Sequence, residues 1–166
     1  MAGGGYAGYA LFATRGPEAV TLSYGDGGDV PEFDVSSSYP CTIIAPAVGR
    51  GIESNSSVDC EKRHEAERFA AVTLYSTNDV VSYPGEQQLR AVGASTCRFY
   101  FDSPLIVGPD KARLEVLALV PTGAGFGKDT STSPGYHTFN GRVLYCMLRS
   151  ADGSQLEGSR LVESPA

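Results

Sequence analysis

The sequence predicts an all-β fold: a single-domain antiparallel β-sandwich, similar in layout to a jelly roll, with one short helix near residues 58–70. Short apolar runs recur along the chain, and several alternate apolar with polar residues, as strands with one buried face do. Turn residues separate these runs, since the 166 residues include 20 glycines and 10 prolines. No linker or fixed repeat divides the chain, so we expect residues 1–166 to form one domain.

The first predicted strands lie in the N-terminal third of the chain, after a glycine-rich segment at residues 1–7. Residues 8–14 form one apolar run, and residues 19–24 alternate with a period of two. A third run at residues 41–45 ends at Pro46, because proline cannot donate to a strand ladder.

Residues 57–70 are the one helical candidate. Ser57 or Asp59 can cap the N-terminus, and acidic residues follow where the helix dipole favours them. The apolar face is narrow, which predicts a short helix at an edge or end of the sheet.

The second half of the chain supplies the remaining predicted strands. They are residues 72–76, 80–83, 95–101, 105–107, 112–120 and 142–148, with 155–162 returning after the Asp152-Gly153 turn. Residues 87–92 fit neither a strand nor a helix pattern clearly.

Residues 112–120 give the strongest strand pattern. One face carries Leu114, Val116, Ala118 and Val120, and the other carries Glu115, Leu117 and Leu119. Apolar residues on both faces indicate a central strand that is covered on each side.

Composition and charge exclude several classes of protein. The net charge of −6, with 13 basic against 19 acidic residues, argues against binding to nucleic acid, which needs clustered Lys and Arg. No apolar run approaches the roughly 20 residues that span a bilayer, so no membrane partner is expected. Residues 1–15 lack the basic region of a signal or transit peptide.

The four cysteines, at positions 41, 60, 97 and 146, leave their redox state open. None are close enough in sequence for a CxxC zinc knuckle, which argues against a zinc site built on cysteine pairs. Two disulfides with three possible connectivities are one alternative. Free buried thiols are the favoured interpretation, because Cys97 and Cys146 sit in apolar runs.

A glycine-rich stretch follows the strongest strand and resembles a phosphate-binding loop only in part. Residues 121–130 read PTGAGFGKDT, one residue short of the required glycine spacing, and Asp129 stands where a hydroxyl should bind magnesium. We therefore expect residues 121–135 to form a long exposed loop that is available to a partner.

The predicted interaction residues come from this loop and from tyrosines near loops, because tyrosine offers an apolar ring and a polar tip to an interface. They are Tyr6, Tyr9, Gly123, Gly125, Phe126, Lys128 and Tyr136.

Candidates for chemistry are few. Asp26, Asp29 and Asp34 lie in a glycine-containing acidic loop that could bind calcium, although solvated turns are the simpler interpretation. His64 and His137 are the only histidines; His64 is expected to be a solvated residue of the predicted helix, and the second histidine of a zinc-protease motif is missing. No catalytic residue and no cofactor are predicted.

These observations favour a non-enzymatic structural or interaction subunit, such as a virion capsid or capsid-decoration protein, that contacts itself or other structural subunits. The chain has no basic arm, which fits an outward-facing or accessory role better than genome packaging. One alternative is a lectin-like, ligand-binding sandwich that uses calcium. Another is a hydrolase whose carboxylates are brought together only in space.

Overall fold

The computed structural model describes residues 18–35, 39–75, 81–104, 106–126 and 141–162. Its elements are β1 Val20–Tyr24, β2 Cys41–Thr42, β3 Ser57–Val58, β4 Ala66–Thr73, α1 Glu86–Asp102, β5 Leu114–Pro121, α2 Gly123–Phe126 and β6 Val143–Ser150, with 3-10 turns at Ser54–Ser56 and Lys111–Arg113. No helix within these ranges combines the length and apolar character that a membrane span requires.

The strands form one six-stranded sheet in the order β1-β5-β6-β4-β2-β3. The chain is therefore mainly β, as predicted. The sheet is mixed rather than antiparallel, because β1 pairs in parallel with β5 while the other neighbours are antiparallel. The sandwich and the jelly roll are not confirmed, since the described ranges contain a single sheet.

The prediction of a central, two-sided strand is confirmed. β5 lies between β1 and β6, and its alternate residues Val116 and Val120 pack into the core beneath α1. Leu117 and Leu119 point to the opposite face, into a second core with Val30, Phe33, Ala45 and Ile52. One side of the sheet is thus covered by a helix and the other by irregular segments between β1 and β3.

The prediction of a strand at residues 95–101 is wrong, because these residues form the second half of α1. The helix buries Leu89, Gly93, Cys97 and Phe101, which are spaced by four residues. A Cβ at Gly93 would lie 2.8 Å from Val120 Cγ1, so glycine lets the helix approach the sheet closely. Position 85, which precedes the helix, has φ +98°, a conformation that glycine adopts without strain.

The prediction of a helix near 58–70 is also wrong. β3 ends at Val58, and β4 begins at Ala66 and continues through the predicted helix C-terminus to Thr73. A register shift between Arg68 and Ala70 interrupts the pairing of β4 with β6. This irregularity breaks the period of two, and it explains why the strand is hard to see in the sequence.

The predicted strands at 19–24, 112–120 and 142–148 are confirmed as β1, β5 and β6, and the one at 72–76 overlaps the end of β4. The predicted return strand at 155–162 is reduced to isolated bridges from Leu156 to His64 and from Leu161 to Val107. Within the run at 105–107, Val107 forms that bridge and Leu105 lies outside the described residues, while residues 81–83 are irregular. The predicted strand at 8–14 lies outside the described residues.

The preference for free thiols is wrong, because all four cysteines form disulfides: Cys41 with Cys60 and Cys97 with Cys146. Cys97 and Cys146 are buried, as expected, but they come from α1 and β6, and the packing of the helix on the sheet brings their Cα atoms to 5.2 Å. The bond therefore joins the helix to the centre of the sheet.

Candidate functional site

Residues of the predicted interaction loop divide between the interior and the undescribed part of the chain. Gly123, Gly125 and Phe126 form α2. Phe126 is buried, and its ring packs edge-on against Tyr75 and Tyr83. Gly125 is also buried, and its amide donates a hydrogen bond to Thr122 Oγ1. The expectation that this stretch is exposed is therefore corrected for Gly125 and Phe126. Tyr6, Tyr9, Lys128 and Tyr136, and likewise His137, lie outside the described residues.

The carboxylates of the acidic loop belong to no group of three metal-ligating residues among the described part of the chain. Asp26 and Asp34 are exposed, and neither belongs with Asp29 to a group of ligand atoms close enough to hold a metal ion. Asp29 instead accepts hydrogen bonds from Ser23 and from Arg90. Burial acts to raise the pKa of Asp29, but these hydrogen bonds outweigh it and lower the pKa below its usual value.

The outward face of α1 carries a surface that the sequence did not predict. Phe99 is 74% exposed and Val92 is 38% exposed, and they lie seven residues apart on the helix. Residues i, i+3 and i+7 share one helix face, so Val92, Ser95 and Phe99 form what we call the outer stripe. The helical spacing of the buried residues from Leu89 to Phe101 could have revealed this face, because it leaves Phe99 on the opposite side.

One charged pair lies at the C-terminal end of the outer stripe, and a second pair at the start of α1 faces the sheet. Arg90 pairs with Glu86 at the start of the helix, with 2.6 Å between Nη2 and Oε1. Arg98 pairs with Asp102 at its end, with 2.9 Å between Nη2 and Oδ1. Arg90 also donates to the Thr21 carbonyl and to Asp29, so it faces β1, whereas Arg98 and Asp102 lie at the same end of the helix as the exposed Phe99.

A polar groove of about 530 Å³ lies at one end of the sheet, between the segment after β2 and the turn after β6. Glu115 on β5 and Arg149 on β6 are cross-strand partners in its floor, with 2.6 Å between Arg149 Nη2 and Glu115 Oε2. Glu65 forms part of the wall and accepts a hydrogen bond of 3.0 Å from the Ala45 amide. The lining also includes Arg50, Asp152 and Ser154, so positively and negatively charged side chains both line the groove.

Asp152 is held in its ionised form at the rim of this groove. Hydrogen bonds from Ser150 and Ser154 lower the pKa of Asp152 well below its usual range. The carboxylate is therefore an acceptor at neutral pH and is unsuited to donate a proton as a general acid.

One buried group of described residues has the spacing to hold a metal ion. Ligand atoms of Cys41, His64 and Glu67 lie within 4.8 Å of one another, and all three residues are buried. The expectation that His64 is a solvated helix residue is therefore corrected: its backbone pairs with Leu156, and its ring is enclosed.

Comparisons with protein-family models, with curated proteins and with solved structures find no match to this chain.

Proposed function

We propose that this chain is a non-enzymatic interaction subunit of a larger protein assembly, and that the outer stripe of α1 is one of its contact surfaces. The exposure of Phe99 carries this proposal. Phenylalanine is enriched in protein interfaces relative to the rest of the surface, and the exposed Phe99 ring lies beside that of Tyr100. The Cys97–Cys146 bond ties the opposite side of the same helix to the sheet, so the stripe is presented on a rigid element.

The partner that best fits this surface is a second copy of the chain. In a two-fold pair, the same patch faces itself, and antiparallel helices would place the start of one α1 beside the end of the other. Val92 of one copy would then lie near Phe99 of the other, so the two exposed apolar surfaces would cover each other.

The assembly we propose to test first is a virion shell, or a decoration layer on such a shell. A mainly β chain with an exposed apolar stripe and an acidic net charge of −6 supports an outward-facing subunit better than one that contacts the genome.

Self-association as a function of protein concentration tests the proposed contact. We expect light scattering and sedimentation to show oligomers that grow with concentration, and Phe99→Ser to weaken association by about tenfold or more, because it removes a central aromatic anchor. Val48→Ser is the matched control, since Val48 is 75% exposed and lies in the turn between Ala47 and Arg50 rather than on α1. A wild-type chain that stays monomeric at high concentration would count against the proposal, and so would equal effects of the two variants.

The polar groove supports a second candidate function, the binding of a hydroxyl-rich ligand such as a carbohydrate. Carboxylates and guanidinium groups both line the groove, and such groups accept from and donate to sugar hydroxyls. Among the described residues, no three carboxylates of the groove lie close enough together to hold a metal ion. We therefore expect binding there without calcium.

A glycan array with the wild-type chain tests this candidate. We expect binding that persists in a chelator and falls by about tenfold in Arg149→Gln, because the guanidinium loses its fixed donors. Arg63→Gln is the control, since Arg63 pairs with Glu157 outside the groove. Failure to bind any glycan, or unchanged binding by Arg149→Gln, would rule the candidate out.

A further inference from the structure

The buried group around the Cys41–Cys60 disulfide brings four potential metal ligands to one place. Cys41 on β2 is the register partner of Glu67 on β4, so the two side chains are neighbours across the strands. His64 lies just before β4, and its ligand nitrogen lies within 4.8 Å of the Cys41 sulfur and of a Glu67 carboxylate oxygen. The Cys60 sulfur is adjacent, because it is bonded to that of Cys41.

His64 is held in the form that a metal ligand requires. Its Nδ1 lies 2.8 Å from the Lys62 carbonyl oxygen. A carbonyl can only accept, so Nδ1 carries a proton, and the lone pair of the neutral ring is then on Nε2. Within the described part of the chain, no hydrogen-bond partner reaches this buried Nε2 atom. Metal-bound histidines typically use one nitrogen as ligand while the other donates to a backbone carbonyl.

Glu67 is oriented in a similar way by its own neighbours. It is fully buried, and its Oε1 accepts a hydrogen bond of 2.5 Å from Ser159 Oγ. Its Oε2 accepts one of 2.7 Å from the Arg160 amide. These bonds fix the carboxylate and leave further lone pairs, since each carboxylate oxygen can accept more than one bond.

We propose that Cys41, Cys60, His64 and Glu67 bind a zinc ion when the disulfide between the two cysteines is reduced. Two thiolates, an imidazole and a carboxylate are ligands that zinc takes in a four-coordinate site. Cys41 and Cys60 then have two alternative states: they are joined by a disulfide in one, and they both bind the zinc ion in the other. This inference is independent of the proposed function, because it uses neither the outer stripe nor the groove.

The change between the two states needs a dithiol reductant. A thiolate of the reductant attacks the sulfur of Cys60, which is partly exposed, while Cys41 is buried. The disulfide breaks, and Cys41 leaves as a thiolate beside His64. The second thiol of the reductant then attacks the mixed disulfide and releases Cys60. Two electrons pass to the protein, the reductant becomes a disulfide, and zinc displaces any proton that remains on the two sulfurs.

Cobalt and zinc titrations of the full chain test the proposal. The chain is reduced with a dithiol, freed of it under nitrogen, and titrated with Co²⁺. We expect one Co²⁺ per chain, a thiolate-to-cobalt charge-transfer band, and loss of that band when Zn²⁺ is added. The oxidised chain should give no band. His64→Ala should weaken binding by roughly tenfold or more, at least the loss typical of a mutated outer-shell partner.

The second disulfide supplies the matched control. Cys97→Ala with Cys146→Ala should keep the cobalt band, because neither residue belongs to the buried ligand group. Cys41→Ala with Cys60→Ala should abolish it. A folded, reduced wild-type chain without the band would overturn the proposal, as would a band that survives loss of Cys41 and Cys60.

Thiol labelling of the wild-type chain covers the case in which these variants do not fold. With zinc present, alkylation of Cys41 and Cys60 in the reduced chain should slow markedly relative to the metal-free sample, as mapped on peptides. Equal alkylation rates of the two cysteines with and without zinc would contradict the site.

Discussion

At the scale of single residues, Asp29 shows how a loop carboxylate serves the fold. It links β1 to α1, because it accepts from Ser23 on the strand and from Arg90 on the helix. Burial acts to raise the pKa of Asp29, and the hydrogen bonds lower it to a net value below the usual one. The sequence placed this residue in an acidic loop, but only the folded chain brings Arg90 to it.

We predict that Asp29→Asn makes the chain less stable near neutral pH and less sensitive to acid. The folded-state pKa lies below the unfolded value of about 3.9, so the carboxylate stabilises the fold above that pH, and the stabilisation is lost as pH falls through the folded pKa. Denaturant unfolding should show a loss of about 1–2 kcal/mol at pH 7. Wild type and variant should converge from about pH 5 downwards.

Asp34→Asn is the control for this measurement, because Asp34 is an exposed carboxylate in the same loop. The control should follow the wild-type curve. A constant difference between wild type and Asp29→Asn at all pH values would contradict the predicted linkage.

His64 and Glu67 show the opposite case at the same scale, in which residue type misleads. Histidine and glutamate in a charged stretch usually face solvent, and the sequence of residues 57–70 predicts a solvated His64 on a helix. Both side chains are fully buried, because the bridge to Leu156 and the loop at Ser159 and Arg160 close over them. These contacts come from the far end of the chain, more than 90 residues away from Glu67.

At the scale of elements, α1 explains why local pattern and structure disagree. In residues 95–101, Cys97, Phe99 and Phe101 alternate with polar or amphipathic residues, which fits a strand. The same residues also fit a helix in which Cys97 and Phe101 are buried while Phe99 faces outward. Packing against β5 and the disulfide to Cys146 favour the helix over the strand.

The two disulfides are expected to contribute unequally to stability. The bond between Cys97 and Cys146 spans 49 residues, and the bond between Cys41 and Cys60 spans 19. In the chain-entropy account, the longer span constrains the unfolded chain more, by about 4 kcal/mol against about 3 kcal/mol. The longer span also joins helix to sheet, whereas the shorter one tethers β2 to the turn that follows β3.

Paired alanine substitutions measure this difference. We predict that Cys97→Ala with Cys146→Ala lowers the free energy of unfolding by about 1 kcal/mol more than Cys41→Ala with Cys60→Ala, as read from denaturant midpoints under oxidising conditions. An equal loss, or a larger loss from the shorter span, would argue that local packing rather than loop closure sets the contribution of each bond.

At the scale of the whole molecule, the described residues build one mixed sheet with a helix on one face and irregular segments on the other. Within the described ranges, Val92 and Phe99 of the outer stripe remain exposed on the outward side of α1. The same arrangement also creates the polar groove, because the segment after β2 and the turn after β6 meet at one end of the sheet. Both proposed binding surfaces therefore result from the packing of the helix and the connecting segments on the sheet, and no contiguous sequence motif encodes them.

The sequence by itself determined the mainly β character, the strands at 19–24, 112–120 and 142–148, and the two-sided burial of β5. These features depend on the periodicity of neighbouring residues, which a local pattern records. Only the tertiary structure decided the helix at α1, the parallel pairing of β1 with β5, the two disulfides and the ligand group around His64. Each of these depends on contacts between residues far apart in sequence, whose energies a local pattern does not contain.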